Sequence, residues 1–156
     1  MGKYEEKARA LFLQGYNCAQ AVAGAFAEDM GMEQEQVLRL VSSMGGGMGR
    51  LREVCGAVSG MCLAAGALYG FSDPKDSAAK REHYARIQEL AGAFREKNGA
   101  IVCRELLGLS EKSSQPTPEE RTAAYYQKRP CLELVGDAAA ILEQYLQAHP
   151  PENRGK

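Results

Sequence analysis

Five cysteines are the residues of this 156-residue chain whose chemistry points most directly to a function. They are Cys18, Cys55, Cys62, Cys103 and Cys131. A thiolate attacks disulfides and binds soft metal ions. No two of them form a CxxC pair, so neither a thioredoxin-type motif nor a zinc knuckle is indicated. Cysteines this dispersed can form one site only if the tertiary fold brings them together.

Four of the cysteines share one predicted position, the first turn of a helix. Cys18 follows the N-cap Asn17, and Cys131 directly follows Pro130. Cys55 lies three residues into a helix predicted from residue 52, and Cys103 lies two residues into one predicted from residue 101. Each opens an apolar stripe, so we expect the four sulfur atoms to point inward and converge. Cys62 lies in mid-helix, and of three open roles, a fifth ligand, a resolving thiol or packing, packing is the favoured one.

Arginines and glycines near these cysteines could change the ionisation of their thiols. Helix N-termini and nearby guanidinium groups favour the thiolate, so we expect lowered thiol pKa values. The candidate cofactor-binding residues are Gly45, Gly46, Gly47, Gly49, Arg52 and Arg104. The amides of the glycine segment, residues 44–49, could form an anion nest, and a flexible connection between helices is an equally good interpretation.

The spacing of apolar residues indicates helices nearly throughout, and no segment has the alternation of a strand. We therefore predict an all-α fold, a single-domain bundle of about seven helices spanning residues 1–156, with a polar tail from about residue 150. The predicted helices cover residues 3–14, 17–31, 33–43, 52–69, 72–97, 101–107 and 130–148. A capping box at residues 117–120 predicts a further helix start, and residues 109–116 a polar loop.

Composition excludes several classes of protein. The formal charge of −1 and the pI of about 6.2 are not those of a nucleic-acid-binding protein. Residues 54–71 carry no charge, but their glycines and alanines favour a buried helix over a membrane span. Gly56 and Gly60 would let another backbone approach that helix closely. The N-terminus does not resemble a secretory signal, so we expect a cytoplasmic protein with reduced cysteines.

The cysteine layout resembles a bacterial family that is named for its pattern, C-GCAxxG-C-C, and to which a redox role is attributed. The resemblance covers about residues 16–131 and rests on four segments: 17–20, 44–60, 103–108 and 130–131. The central segment here reads Cys-Gly-Ala at residues 55–57, whereas the family name writes Gly-Cys-Ala. The resemblance implies redox activity, and for some relatives a prosthetic group such as an iron–sulfur cluster.

We therefore predict a redox-active protein whose Cys18, Cys55, Cys103 and Cys131 are both the catalytic and the metal-ligating candidates. Two versions stay open: an iron–sulfur cluster held by four thiolates, and a cofactor-free dithiol that cycles with a disulfide. The alternatives are a structural zinc site and a non-catalytic helical binding protein whose cysteines fill the core. An oxidoreductase or an electron-transfer accessory protein fits this prediction. Its expected partner is a redox protein or an oxidoreductase, and a homo-oligomer is compatible with it.

Overall fold

The computed structural model describes residues 1–109 and 115–152. These residues form nine α-helices, one short 3₁₀ helix (Ser42–Met44) and no strand, which confirms the predicted all-α fold. The helices are α1 (Lys3–Leu13), α2 (Cys18–Ala25), α3 (Gln34–Leu40), α4 (Gly45–Met48), α5 (Gly56–Tyr69), α6 (Ser77–Asn98), α7 (Cys103–Leu107), α8 (Ala123–Lys128) and α9 (Cys131–Ala148). Among the described helices, none is long and apolar enough to cross a membrane.

Helix α2 lies at the centre of the bundle and packs against α1, α3, α5 and α9. Helix α6 covers α5 and α9 from the outer side. The main core contains Phe12, Phe26, Met61, Phe94 and Leu142, all fully buried or nearly so. Burial of these large side chains is the main force that fixes the relative positions of α2, α5 and α9. Their N-terminal ends are thereby held at one end of the molecule.

The contact between α2 and α5 is backbone against backbone. A Cβ atom added at Gly60 would lie 2.5 Å from the carbonyl oxygen of Ala19, and one added at Gly56 would lie 2.4 Å from Cys18 Sγ. Both distances are shorter than van der Waals contact, so only glycine fits there. The close approach predicted for Gly56 and Gly60 is confirmed, and it brings Cys55, the residue before Gly56, next to Cys18.

Two helices begin later than the sequence pattern predicts, for one shared reason. Residues 52–55, predicted to be helical, lie outside the helix: Arg52 has a positive φ (+62°), and Val54 forms an antiparallel bridge with Val102. The Cys55 amide donates to the Ile101 carbonyl (2.8 Å), and the Cys103 amide donates to the Glu53 carbonyl (2.6 Å). These bonds satisfy backbone groups that a helix would otherwise use. Cys55 is therefore the N-cap of α5, and Cys103 is the first residue of α7.

Local capping explains the other differences from prediction. The predicted start at residues 72–74 is wrong, because the Asp76 carboxylate caps α6 by accepting from the Ala79 amide (2.9 Å). The capping box predicted at residues 117–120 is also wrong, since α8 begins at Ala123 and is capped by Thr122. Helix α2 ends at Ala25 rather than near residue 31. The predicted loop at 109–116 and the polar tail lie partly outside the described residues.

Candidate functional site: a four-cysteine cavity

Four of the five cysteines line one cavity of about 420 Å³. They are Cys18, Cys55, Cys103 and Cys131, and we refer to the space as the four-cysteine cavity. Each comes from the N-terminal end of a different helix: α2, α5, α7 and α9. Cys62 lies two turns further along α5 and does not line this cavity. All five are free thiols.

Cys18 is positioned by a reciprocal cap at the start of α2. The Gln20 amide donates to the Asn17 side chain (2.9 Å), and the Asn17 amide donates to the Gln20 side chain (3.0 Å). The Asn17 side chain also donates to the carbonyl of Ser42 (3.0 Å). The start of α2 is therefore tied to the segment that leads into the glycine turn. These bonds fix the backbone from which the Cys18 thiol enters the cavity.

The glycine segment forms a tight turn that touches two of the cysteines. Gly46 and Gly47 have φ values of +69° and +72°, a conformation that favours glycine. The Gly46 amide faces the Cys18 sulfur. A Cβ atom added at Gly47 would lie 2.8 Å from Cys103 Cβ. Consecutive residues of one turn thus contact Cys18 and Cys103.

Of the glycines predicted to bind a cofactor, three line the cavity: Gly45, Gly46 and Gly49. Gly47 packs instead against the segment behind it, where its added Cβ would lie 2.6 Å from the Glu53 amide nitrogen. The turn is therefore closely packed against its neighbours at Gly47, and the anion nest and the flexible connection both stay interpretations.

Arg52 and Arg104 are both predicted to interact with the cavity thiols, but only one of the two side chains lies in the cavity. Arg52 is buried, lines the cavity and donates from Nη1 to Cys103 Sγ at 3.5 Å. Arg104 does not line the cavity. Its Nη1 donates to the Arg52 carbonyl and pairs with the Glu53 carboxylate, both at 3.1 Å. Arg104 therefore braces the segment that carries Arg52, and its described hydrogen bonds and ion pair do not involve a cysteine sulfur.

Cys131 enters the cavity from the start of α9, beside groups contributed by residues 119–129. The Tyr125 side chain hydrogen-bonds to its sulfur, and the Arg129 guanidinium lies close enough to interact with it. Arg129 itself forms an ion pair with Glu119 at the cavity wall. Both Tyr125 and Arg129 favour negative charge on the Cys131 sulfur.

Burial nevertheless dominates the ionisation of three cavity thiols. Burial raises the pKa of Cys18, raises that of Cys55 well above its usual value, and raises that of Cys131 to about 12. Neighbouring thiols raise these pKa values further. Backbone amides at the helix N-termini act in the opposite direction but do not outweigh desolvation. The prediction that helix N-termini would lower these pKa values is therefore wrong for these three residues.

The four cavity thiols are the candidate ligands of a metal centre. A tetrahedral site needs its sulfur atoms gathered around one point, at about 2.3 Å from a zinc ion. Among residues 1–109 and 115–152, no three Cys, His, Asp or Glu side chains are arranged to hold a metal ion. The thiols thus share a cavity, but among the described residues no three of them are gathered around a single metal ion. The four-thiolate centre, with iron–sulfur or zinc, stays a prediction.

Sequence reasoning missed three polar residues of the cavity wall: Arg50, Arg121 and Tyr125. Arg121 donates to the carbonyls of Phe12 and Tyr16, and its guanidinium stacks over the Phe12 ring. Arg121 and Tyr125 are four residues apart, and Arg50 directly follows the glycine segment. These two positions in the sequence were the only available signals for a site. Neither indicates a cavity, because the cavity exists only once α1, α8 and α9 are packed together.

Comparison with known proteins places this cysteine arrangement in a family. No curated protein and no solved structure gives a significant match. Residues 16–145 match the family described as "Putative redox-active protein (C_GCAxxG_C_C)". This stretch contains all four cysteines of the cavity and most of the helical bundle. The chain therefore belongs to the C_GCAxxG_C_C family.

Proposed function

We propose that this protein is a thiol–disulfide redox protein in which Cys18 and Cys103 cycle between two thiols and one disulfide. The observation that carries the proposal is that four cysteines, far apart in sequence, line one cavity whereas Cys62 does not. Buried cysteines that serve only as packing have no reason to share a cavity wall. Thiols that face a common space can react with each other and with a molecule that enters it.

Two contacts favour Cys18 and Cys103 as the reacting pair. Adjacent glycines of one turn touch both residues, Gly46 at the Cys18 sulfur and Gly47 at the Cys103 side chain. Arg52 donates to Cys103 Sγ, an interaction that stabilises negative charge on the attacking sulfur. Cys103 is therefore proposed as the nucleophile and Cys18 as the resolving thiol.

The reaction needs an external disulfide as oxidant, and its atoms and electrons balance. The Cys103 thiolate attacks one sulfur of the substrate disulfide, which breaks the S–S bond and releases one substrate thiol. Cys18 then attacks the Cys103 sulfur of the mixed disulfide and releases the second substrate thiol. The two protein protons leave on the two product thiols. The protein loses two electrons, and the substrate disulfide gains them.

Cys55 and Cys131 are proposed to set the electrostatic environment of the reacting pair. Both interact electrostatically with Cys18 and with Cys103. Their raised pKa values keep both residues as neutral thiols at pH 7. A neutral thiol beside the reacting sulfur atoms adds no repulsive charge, whereas a second thiolate would oppose formation of the Cys103 thiolate.

The proposal is tested by counting thiols and mapping the disulfide. Fully reduced protein, oxidised by 2-hydroxyethyl disulfide, should fall from five free thiols to three. Peptide mass mapping should then identify the Cys18–Cys103 bond. Cys18→Ser and Cys103→Ser should prevent that bond from forming. The matched control is Cys62→Ser, which changes the same residue type outside the cavity and should still form it.

Three results would contradict the proposal: no loss of thiols, a disulfide that maps to another pair, or a Cys62→Ser variant as defective as Cys103→Ser. A protein purified anaerobically with stoichiometric iron and acid-labile sulfide, or with one zinc, and with the four cavity cysteines unreactive would instead support the metal alternatives. Far-ultraviolet circular dichroism of each variant separates loss of chemistry from loss of fold.

A further inference from the structure

We infer that the disulfide which enters the four-cysteine cavity is a small anionic molecule, bound by arginines of the cavity wall. This inference rests on the proposed thiol–disulfide function and adds the substrate class. Among the described residues that line the cavity, four are arginines: Arg50, Arg52, Arg121 and Arg129. Glu119 is the one acidic residue among them. Residues 110–114 contribute one Glu and one Lys to the sequence, so they add no formal charge.

Arg50 lies close enough to Arg52 and Arg129 for their positive charges to repel it. The pKa of Arg50 is lowered by burial, and the positive charges of Arg52 and Arg129 lower it further. Glu119 offsets part of this charge, being close to Arg50 and ion-paired with Arg129. Among the described lining residues, four guanidinium groups against one carboxylate give an excess of positive charge in a partly enclosed space. An anion that enters this space relieves the repulsion, and low-dielectric walls strengthen its attraction.

Backbone strain is concentrated in the same wall. Within the described residues, the non-glycine residues with positive φ are Met48 (+71°), Arg50 (+65°) and Arg52 (+62°). The left-handed conformation costs a residue with a side chain about 1–3 kcal/mol, and such residues cluster at functional sites. Glycine would avoid that cost. Two of the three strained positions carry arginines that face the cavity, which supports a role for these side chains that outweighs the strain.

The size of the cavity and the burial of its sulfur atoms limit the substrate to a small molecule. A volume of about 420 Å³ falls within the range of about 300–1,000 Å³ typical of small-molecule sites. Cys103, the proposed nucleophile, is only 7% exposed. A disulfide on the surface of a folded protein cannot reach such a sulfur without rearrangement, whereas a flexible small molecule can enter the cavity.

The test compares three small symmetrical disulfides of different charge: 3,3′-dithiodipropionate (anionic), 2-hydroxyethyl disulfide (neutral) and cystamine (cationic). The oxidation rate of the protein by each is divided by the rate at which the same disulfide reacts with free 1-thioglycerol, a neutral thiol, which removes intrinsic reactivity. We expect the anionic disulfide to react about tenfold faster than the neutral one at low salt, and cystamine to be the slowest. Raising the salt concentration should shrink the difference, because ions screen the attraction.

Variants test whether the preference for the anionic disulfide comes from the arginines of the cavity wall. Arg50→Gln should remove most of the preference for the anion, and Arg50→Glu should reverse it. Arg95→Gln, on α6 and outside the cavity lining, is the matched control and should keep the preference. The charge series on the wild-type protein does not depend on whether a variant folds.

The possible outcomes separate the two proposals. Equal normalised rates for all three disulfides would overturn the anionic-substrate inference and leave the thiol–disulfide function standing. Loss of preference in Arg95→Gln, or full preference in Arg50→Gln, would overturn the assignment to the cavity wall. A wild-type protein that none of the disulfides oxidises would overturn both proposals.

Discussion

The two halves of α5 contain the same kinds of small residue and use them differently. In the N-terminal half, Gly56 and Gly60 press against the α2 backbone. In the C-terminal half, an added Cβ at Gly66 would meet no atom within 4 Å. The first two glycines are required by a close contact, and the third merely leaves open space. A glycine-rich helix therefore does not by itself reveal which of its glycines carry the packing.

The same comparison holds for the two cysteines on this helix. Cys55, at the N-cap, is buried and interacts electrostatically with the thiols of Cys18 and Cys103. Cys62 is partly exposed, and burial alone raises its pKa to about 11. Only the cysteine at the end of the helix has other thiols as neighbours. Chemistry that needs two neighbouring thiols is thus possible only at the N-terminal end of α5. Three measurements test the contrast between the two halves of this helix.

The largest expected effect is the pH dependence of alkylation at Cys62. Only the thiolate reacts with iodoacetamide, and below a pKa of about 11 its fraction rises about tenfold per pH unit. The rate at Cys62 should therefore rise about a thousandfold between pH 7 and pH 10. At each pH, Cys55 should react more slowly, since it is only 5% exposed and its pKa is raised further. Peptide-resolved mass spectrometry measures both rates, and a plateau at Cys62 below pH 9 would contradict this prediction.

A smaller effect is expected when the contact between α2 and α5 is overpacked. Gly60→Ala would place a methyl group 2.5 Å from the carbonyl oxygen of Ala19, a backbone atom that cannot simply rotate away. We expect the free energy of unfolding to fall by about 1–3 kcal/mol. Urea denaturation followed by circular dichroism measures the change. Unaltered stability would mean that α5 can move away from α2 at little cost.

The smallest effect is expected at Gly66, which serves as the matched control on the same helix. Gly66→Ala adds a methyl group into open space and removes the entropic penalty of glycine in a helix. The free energy of unfolding should rise by about 0.5–1 kcal/mol in the same urea experiment. A destabilised Gly66→Ala protein would show that the C-terminal half of α5 is also in close contact, and the contrast between the halves would be lost.

Much of the local structure could be predicted because it depends on neighbours in sequence. The cap at Asn17 and the start of α9 after Pro130 lie where the local signals placed them. Long helices such as α1 and α9 follow from the apolar stripes that they bury. The starts of α5 and α7 could not be found in this way. Their backbones bond to each other across about 48 residues of sequence, and no local pattern records that pairing.

The sequence by itself determined the all-α fold and the positions of Cys18 and Cys131 at helix N-termini, because helix periodicity and capping act over a few residues. The tertiary structure alone decided which arginines line the cavity, which glycines contact Cys18 and Cys103, and how the thiols ionise. Cys18, Cys55 and Cys131 show why: their local helix ends favour the thiolate, yet burial by distant residues raises their pKa values. Desolvation is a property of the whole fold, and a helix end is a property of one turn.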